Sequence, residues 1–152
     1  MNIYDVFEEL DIHFKQIDAI IPQINKLIPL SKDDFDNTEI VKTLDSFIYR
    51  FIKIQDKMGD KLFPEFLKIL QEYNPNMSLL DMLNDLERFE IINRTENWID
   101  YRKLRNNLTH EYPGNETEII ESINLALNVY EEMKKIYHKI LQDIENRKGK
   151  KK

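Results

Sequence analysis

Two arginines, two asparagines, a threonine and one of the chain's three histidines fall within Tyr101–Pro113, YRKLRNNLTHEYP. Their types suit work on an anion. Arginine stays charged at any physiological pH and grips paired oxygens through two nitrogens, and an imidazole with an ordinary pKa near 6.5 moves protons close to neutrality. Wound as a helix at about 100° per residue, Tyr101, Leu104 and Leu108 fall within about 60° of one another and make an apolar stripe for a core. Roughly opposite, Arg102, Asn106 and His110 recur at i, i+4 and i+8, with Arg105 and Thr109 beside them. Asp100 and Glu111 point elsewhere, so the arginines are expected to lack an acidic partner on their own helix and to be open to a phosphate. Pro113 and Gly114 are expected to stop this helix, which puts His110 in its last turn.

Arg105-x4-His110 followed by x-Tyr112 resembles the R-x4-H-x-Y signature of HEPN-domain proteins, particularly the HepT-type toxins paired with minimal nucleotidyltransferases. The run Arg50–Pro64, RFIKIQDKMGDKLFP, is similar to the second-helix region of such proteins. The resemblance implies an all-α, HEPN-like antiparallel bundle. Two copies would pair as a homodimer so that Arg105 and His110 line one composite cleft in which RNA, the substrate, is cut. It also implies a nucleotidyltransferase antitoxin as partner, which transfers AMP to the motif tyrosine, here Tyr112.

Metal-independent RNA cleavage needs a group that moves protons at the 2′-hydroxyl and the leaving 5′-oxygen, and cations that stabilise charge building on the phosphate. His110 and Arg105 are of those two types. Arg102, Asn106 and Thr109 are candidates for phosphate binding or support, and Asn106 for orienting the imidazole. Arg105 and His110 stand about 140° apart on an ideal helix, so a single chain brings them together poorly unless its last turn unwinds. That geometry points to a second subunit. Two other readings remain: a non-catalytic HEPN adaptor that holds a nucleotide, or nothing, while binding a nucleotidyltransferase; or a purely structural role for Arg105 and His110 at a helix end and dimer interface. Three scattered histidines and no cysteine offer no metal site, and no glycine-rich phosphate loop or nucleophile elbow implies a cofactor.

The elements that must position this segment read as helices. Ile3, Leu10, Ile17 and Ile24 recur every seven residues in a long amphipathic helix, with a kink or break expected at Pro22 and an end at Pro29. After a loop over 30–36, Asp36 with Glu39 suggests a capping box for a second helix striped by Ile40, Val41, Leu44, Phe47, Ile48 and Phe51. Gly59 is expected to end or bend it, and Pro64 to open a further stretch over 65–73. Arg50 and Asp56 on this segment read as an ion pair or exposed charges, or else as support for Arg102 or Arg105. Asn74-Pro75-Asn76 signals a turn, Ser78 with Asp81 caps a short helix to about Asn93, and Thr95 restarts the chain into the central helix. Trp98 is either an aromatic platform for a base or, more in keeping with its size, a packing residue. Asn115 with Glu118 caps a last helix from Glu116 to about Asn146, with Ile119, Ile123, Tyr130, Tyr137 and Ile144 on its stripe. His13 and His138 read as structural or solvent-facing. The domain expected is one all-α bundle of four to six helices over 1–146, followed by a basic tail over 147–152 expected to be disordered.

Composition fits a chain of that kind: 152 residues, 33% charged, and only three glycines and five prolines. An N-terminus rich in acids and the lack of long apolar runs suggest a cytoplasmic protein with no membrane contact. Arg147, Lys148, Lys150, Lys151 and Lys152 contribute +5 to a net charge of −6, so the rest of the chain carries −11. Contact with a nucleic acid must then be local to the Arg102 and Arg105 face, and not a broad basic surface.

Overall fold

The seven-residue apolar repeat of the N-terminal third becomes one helix, α1 (Ile3–Asn25), in a computed structural model that describes residues 1–150. The other helices are α2 (Thr38–Lys57), α3 (Phe63–Ile69), α4 (Leu79–Arg88), α5 (Thr95–Asn107) and α6 (Glu116–Lys150). Among the described residues there is no strand. A 3-10 turn, Lys32–Asp36, precedes α2. No helix among the described residues is long and apolar enough to cross a membrane.

Pro22 does not break α1. It lies on the exposed face, as does Asp18, whose carbonyl the proline leaves without an amide donor, so water can satisfy that oxygen. The helix nevertheless ends at Asn25, before Pro29. The N-cap of α2 is Asn37 and not Asp36: the Asn37 carboxamide oxygen accepts from the amides of Glu39 at 3.0 Å and Ile40 at 3.2 Å. Ser78 and Asp81 do form the expected reciprocal box, at 3.1 and 3.0 Å. Gly59 ends nothing. The chain passes from α2 through one π-helical turn, Met58–Leu62, into α3, and Pro64 sits in the first turn of α3, where no amide is needed.

Side chains fix how the helices lie. His13 meets Arg50 and Glu9 meets Lys57, so α1 and α2 run antiparallel. Tyr130 donates to the Phe14 carbonyl (3.2 Å) and the Asp18 carboxylate (2.7 Å); Tyr137, seven residues on, repeats this with Phe7 (3.3 Å) and Asp11 (2.6 Å). These two rungs run in opposite sequence order, which makes α1 and α6 antiparallel as well. The core between them holds Phe47, Phe51, Phe63, Phe66 and Trp98, all buried.

The helix α6 continues four residues beyond Asn146. Arg147 pairs with Asp143, Lys148 with Glu145, and the Lys148 ammonium lies 4.3 Å from the centre of the Tyr4 ring. Lys151 and Lys152 of the basic tail lie outside the described residues.

Candidate functional site

Helix α5 stops at Asn107, three residues before His110, so His110 is not in its last turn. The buried Leu108 still bonds back to Leu104 (3.1 Å), but Thr109 and His110 make tighter amide bonds to Asn106 (3.2 Å) and Asn107 (3.3 Å). The Thr109 hydroxyl also donates to the Asn106 carbonyl at 2.6 Å. Thr109, a candidate phosphate binder, thus helps finish the helix, its hydroxyl adding a second bond to the carbonyl that its own amide already meets. The turn beyond is closed by the Asn115 amide on the Tyr112 carbonyl (2.9 Å), with Pro113 and Gly114 at its centre. Gly114 has φ +82, the value that a type II turn requires at its third position.

Arg105 does not stand free. Its own helix offers no acid, as the sequence indicates, yet α2 supplies Asp56: Nε donates to Oδ1 at 3.1 Å and Nη2 to Oδ2 at 2.8 Å. These bonds raise the guanidinium's pKa above its ordinary value, against the pull of burial. Its Nη1 makes only a long contact with the Asn106 side chain, 3.4 Å. Asn106 therefore leans toward Arg105. Arg102 is exposed and pairs with no carboxylate among the described residues. Of the readings open for Arg50 and Asp56, a pair between them is not formed: Arg50 turns to His13, while Asp56 supports Arg105.

Tyr112 packs its half-buried ring against Phe35, with centroids 4.9 Å apart, and its hydroxyl donates to the Asp45 carboxylate. Burial, then that bond and the carboxylate's charge, push the phenol well above its usual range. His110 is exposed beside it. The two share an open pocket of about 350 Å³, lined also by Asp45, Ile48, Leu108, Glu111 and Pro113. Arg105 is not part of that lining. Its anchor Asp56 stands eleven residues from Asp45 on one helix, about 16 Å along the axis at 1.5 Å per residue. One chain thus carries two separate groups: a cation held by Asp56, and an imidazole with a phenol beside Asp45.

Trp98 is 1% exposed, edge-on to Phe63 at 4.8 Å and to Tyr101 at 5.8 Å, and serves packing. Among the described residues no three acidic or imidazole side chains gather so as to hold a metal ion. The sequence reading did not single out Asp45. The available signal was the spacing Asp45, Tyr49, Ile52, Asp56, which sets two carboxylates on one face of an otherwise amphipathic helix. No family model, curated protein or solved structure matches this chain.

Proposed function

We propose that this chain is a metal-independent endoribonuclease of the HEPN type, the toxin of a toxin–antitoxin pair in the cytoplasm, working as a homodimer of antiparallel helical bundles. The observation that carries the reading is the early end of α5, which sets His110 on an open pocket that it shares with Tyr112. In the proposed reaction the 2′-oxygen of the RNA bonds to phosphorus as its proton passes to one imidazole. The bond from phosphorus to the 5′-oxygen breaks, and the same imidazole, now protonated, returns the proton to that oxygen. Arg105 and Arg102 stabilise the charge on the phosphate. Since Asp56, which holds Arg105, and Asp45, which holds Tyr112 in the His110 pocket, stand about 16 Å apart along α2, the proposed cleft takes Arg105 and His110 from two copies. The Tyr112 hydroxyl, at the rim of the same pocket, is the site at which a nucleotidyltransferase partner would attach AMP and block RNA.

The competing reading is a non-catalytic adaptor for such a partner. It draws on the Arg105–Asp56 pair, which already neutralises the best-placed cation. Incubation of the purified chain with RNA separates the two. Cleavage that persists with chelator and disappears in His110→Ala is expected; an intact RNA after incubation with the wild-type chain favours the adaptor, and cutting retained in His110→Ala rejects the mechanism.

A further inference from the structure

Tyr49 stands on α2 between the two anchors of the candidate site. Asp45, Tyr49 and Asp56 recur at i, i+4 and i+11 on one helical face. The ring therefore lies between the carboxylate that holds Tyr112 and the one that holds Arg105. It is 53% exposed.

Two cations bracket it. The Arg50 guanidinium carbon is 5.4 Å from the ring centroid and the Lys53 ammonium 5.6 Å. Among the described residues neither pairs with a carboxylate. Arg50 donates instead to Nδ1 of His13 at 3.0 Å. Burial and the charges of Arg50, Lys57 and Lys53 hold that imidazole below its ordinary pKa, so it stays neutral and leaves the charge of Arg50 uncompensated. Glu9, the acid facing this patch from α1, is taken by Lys57. In a chain whose body is strongly acidic, an open aromatic ring with two unpaired cations is a local exception.

We infer that Tyr49, Arg50 and Lys53 seat one nucleotide of single-stranded RNA, its base stacked on Tyr49 and the adjoining phosphates taken by Arg50 and Lys53. The inference rests on the reading of RNA as substrate and narrows it: a ring stacks only on a base that is unpaired, so duplex RNA gains nothing here. The flexible stems of both cations let them move from the ring to a phosphate when a base arrives.

The test is binding of a short fluorescein-labelled single-stranded RNA to the full chain, followed by anisotropy in a His110→Ala background that prevents cutting. Tyr49→Ala is expected to weaken binding by about tenfold, and Tyr49→Phe to keep the wild-type affinity. Lys53→Ala should weaken it and lower the slope of log affinity against log salt by roughly 0.7. Unchanged affinity in Tyr49→Ala and Lys53→Ala overturns the seat, as does the absence of any RNA binding. So does a loss in Tyr49→Ala that accompanies dissociation of subunits in light scattering, which makes Tyr49 a subunit contact. If the variants weaken binding but the wild-type chain cuts no RNA, the nuclease reading falls and the seat stands. If the chain cuts RNA and Tyr49→Ala alters neither Kd nor KM, the seat falls alone.

Discussion

Asp56 holds Arg105 by two nitrogens from the neighbouring helix, which sets the direction of the guanidinium and leaves Nη1 as its open edge. Both side chains are about a third exposed, 30% and 38%, so the pair adds little to stability, about 0.5–1 kcal/mol. Its larger effect is orientation. In Asp56→Asn the melting temperature should fall slightly, while kcat for RNA cleavage falls on the order of tenfold with KM little changed, since a loosened guanidinium meets the phosphate poorly. No further loss when Asp56→Asn is added to Arg105→Ala would assign the two residues to one unit. Wild-type kcat in Asp56→Asn would reject the positioning role.

The distance between the two anchors on α2 carries a prediction about subunits. If the cleft draws on two copies, then Arg105→Ala and His110→Ala are each inactive alone. A mixed dimer, made by co-expression, keeps one intact Arg105 and one intact His110 that face each other. Such a mixture should recover part of the wild-type cleavage rate. Mixtures as inactive as their components would show that each chain needs both of its own groups.

Much of this architecture is legible in the sequence, and the exceptions have separate physical causes. The helices α1, α2 and α6 follow their apolar periods, and the Ser78 box and the Pro113-Gly114 turn follow from side-chain hydrogen bonding and from φ alone. What escaped depends on partners distant in sequence. Asp56, 49 residues from Arg105, is legible only as one possible support for Arg102 or Arg105, and nothing near Tyr112 announces Asp45, 67 residues away. The end of α5 escaped for a local reason: Thr109 bonds back to the Asn106 carbonyl, a competition between side chain and ladder that pattern reading scores as ordinary helix. The π-helical turn at Gly59 likewise carries no apolar signature of its own, since Met58 and Leu62 are buried and Asp60 and Lys61 exposed as on any amphipathic helix.

Three phenols, Tyr112, Tyr130 and Tyr137, are raised above their ordinary range by burial first and then by a carboxylate bond to Asp45, Asp18 and Asp11 respectively. For an acid of this kind the folded state favours the protonated form. The stabilisation is full below the unfolded value of about 10 and is lost as pH rises past it. Ultraviolet titration should show these three phenols silent until the chain unfolds in alkali. Replacing the two rungs, Tyr130→Phe with Tyr137→Phe, should lower stability at neutral pH and remove part of the alkaline loss. A titration in which every tyrosine ionises near its ordinary value would contradict the rungs.

Two helices close with the wrong residue. Gln71 after α3 and Glu90 after α4 have φ of 60 and 63, in the left-handed region. Each sits in a Schellman ending, with bonds from Glu72 to Leu67 and from Ile91 to Leu86, both 2.9 Å. Both side chains are exposed, so glycine sacrifices no packing. Gln71→Gly and Glu90→Gly should each stabilise the fold by roughly 1 kcal/mol in denaturant titrations, the left-handed strain outweighing the added chain entropy. Destabilisation in both would argue against these endings.

The imidazole of His13 gives acid behaviour a specific source. It is partly buried between α1 and α2 with Arg50, Lys57 and Lys53 around it and only Glu9 in its favour, and its pKa lies below the ordinary 6.5. The unfolded chain therefore binds a proton at His13 more readily than the folded chain. The stabilisation is present above pH 6.5 and is lost as pH falls through the folded value, because a protonated ring can no longer accept from Arg50 and repels it. His13→Gln keeps an acceptor for Arg50 without a titrating group. Between about pH 7.5 and pH 5.5, a window spanning the unperturbed value, the wild-type chain should lose more melting temperature than His13→Gln. The carboxylates contribute alike to both chains over that window, so the difference reports His13. Equal losses would mean that the Arg50 contact does not depend on a neutral ring, and would remove the reason for treating Arg50 as an uncompensated cation.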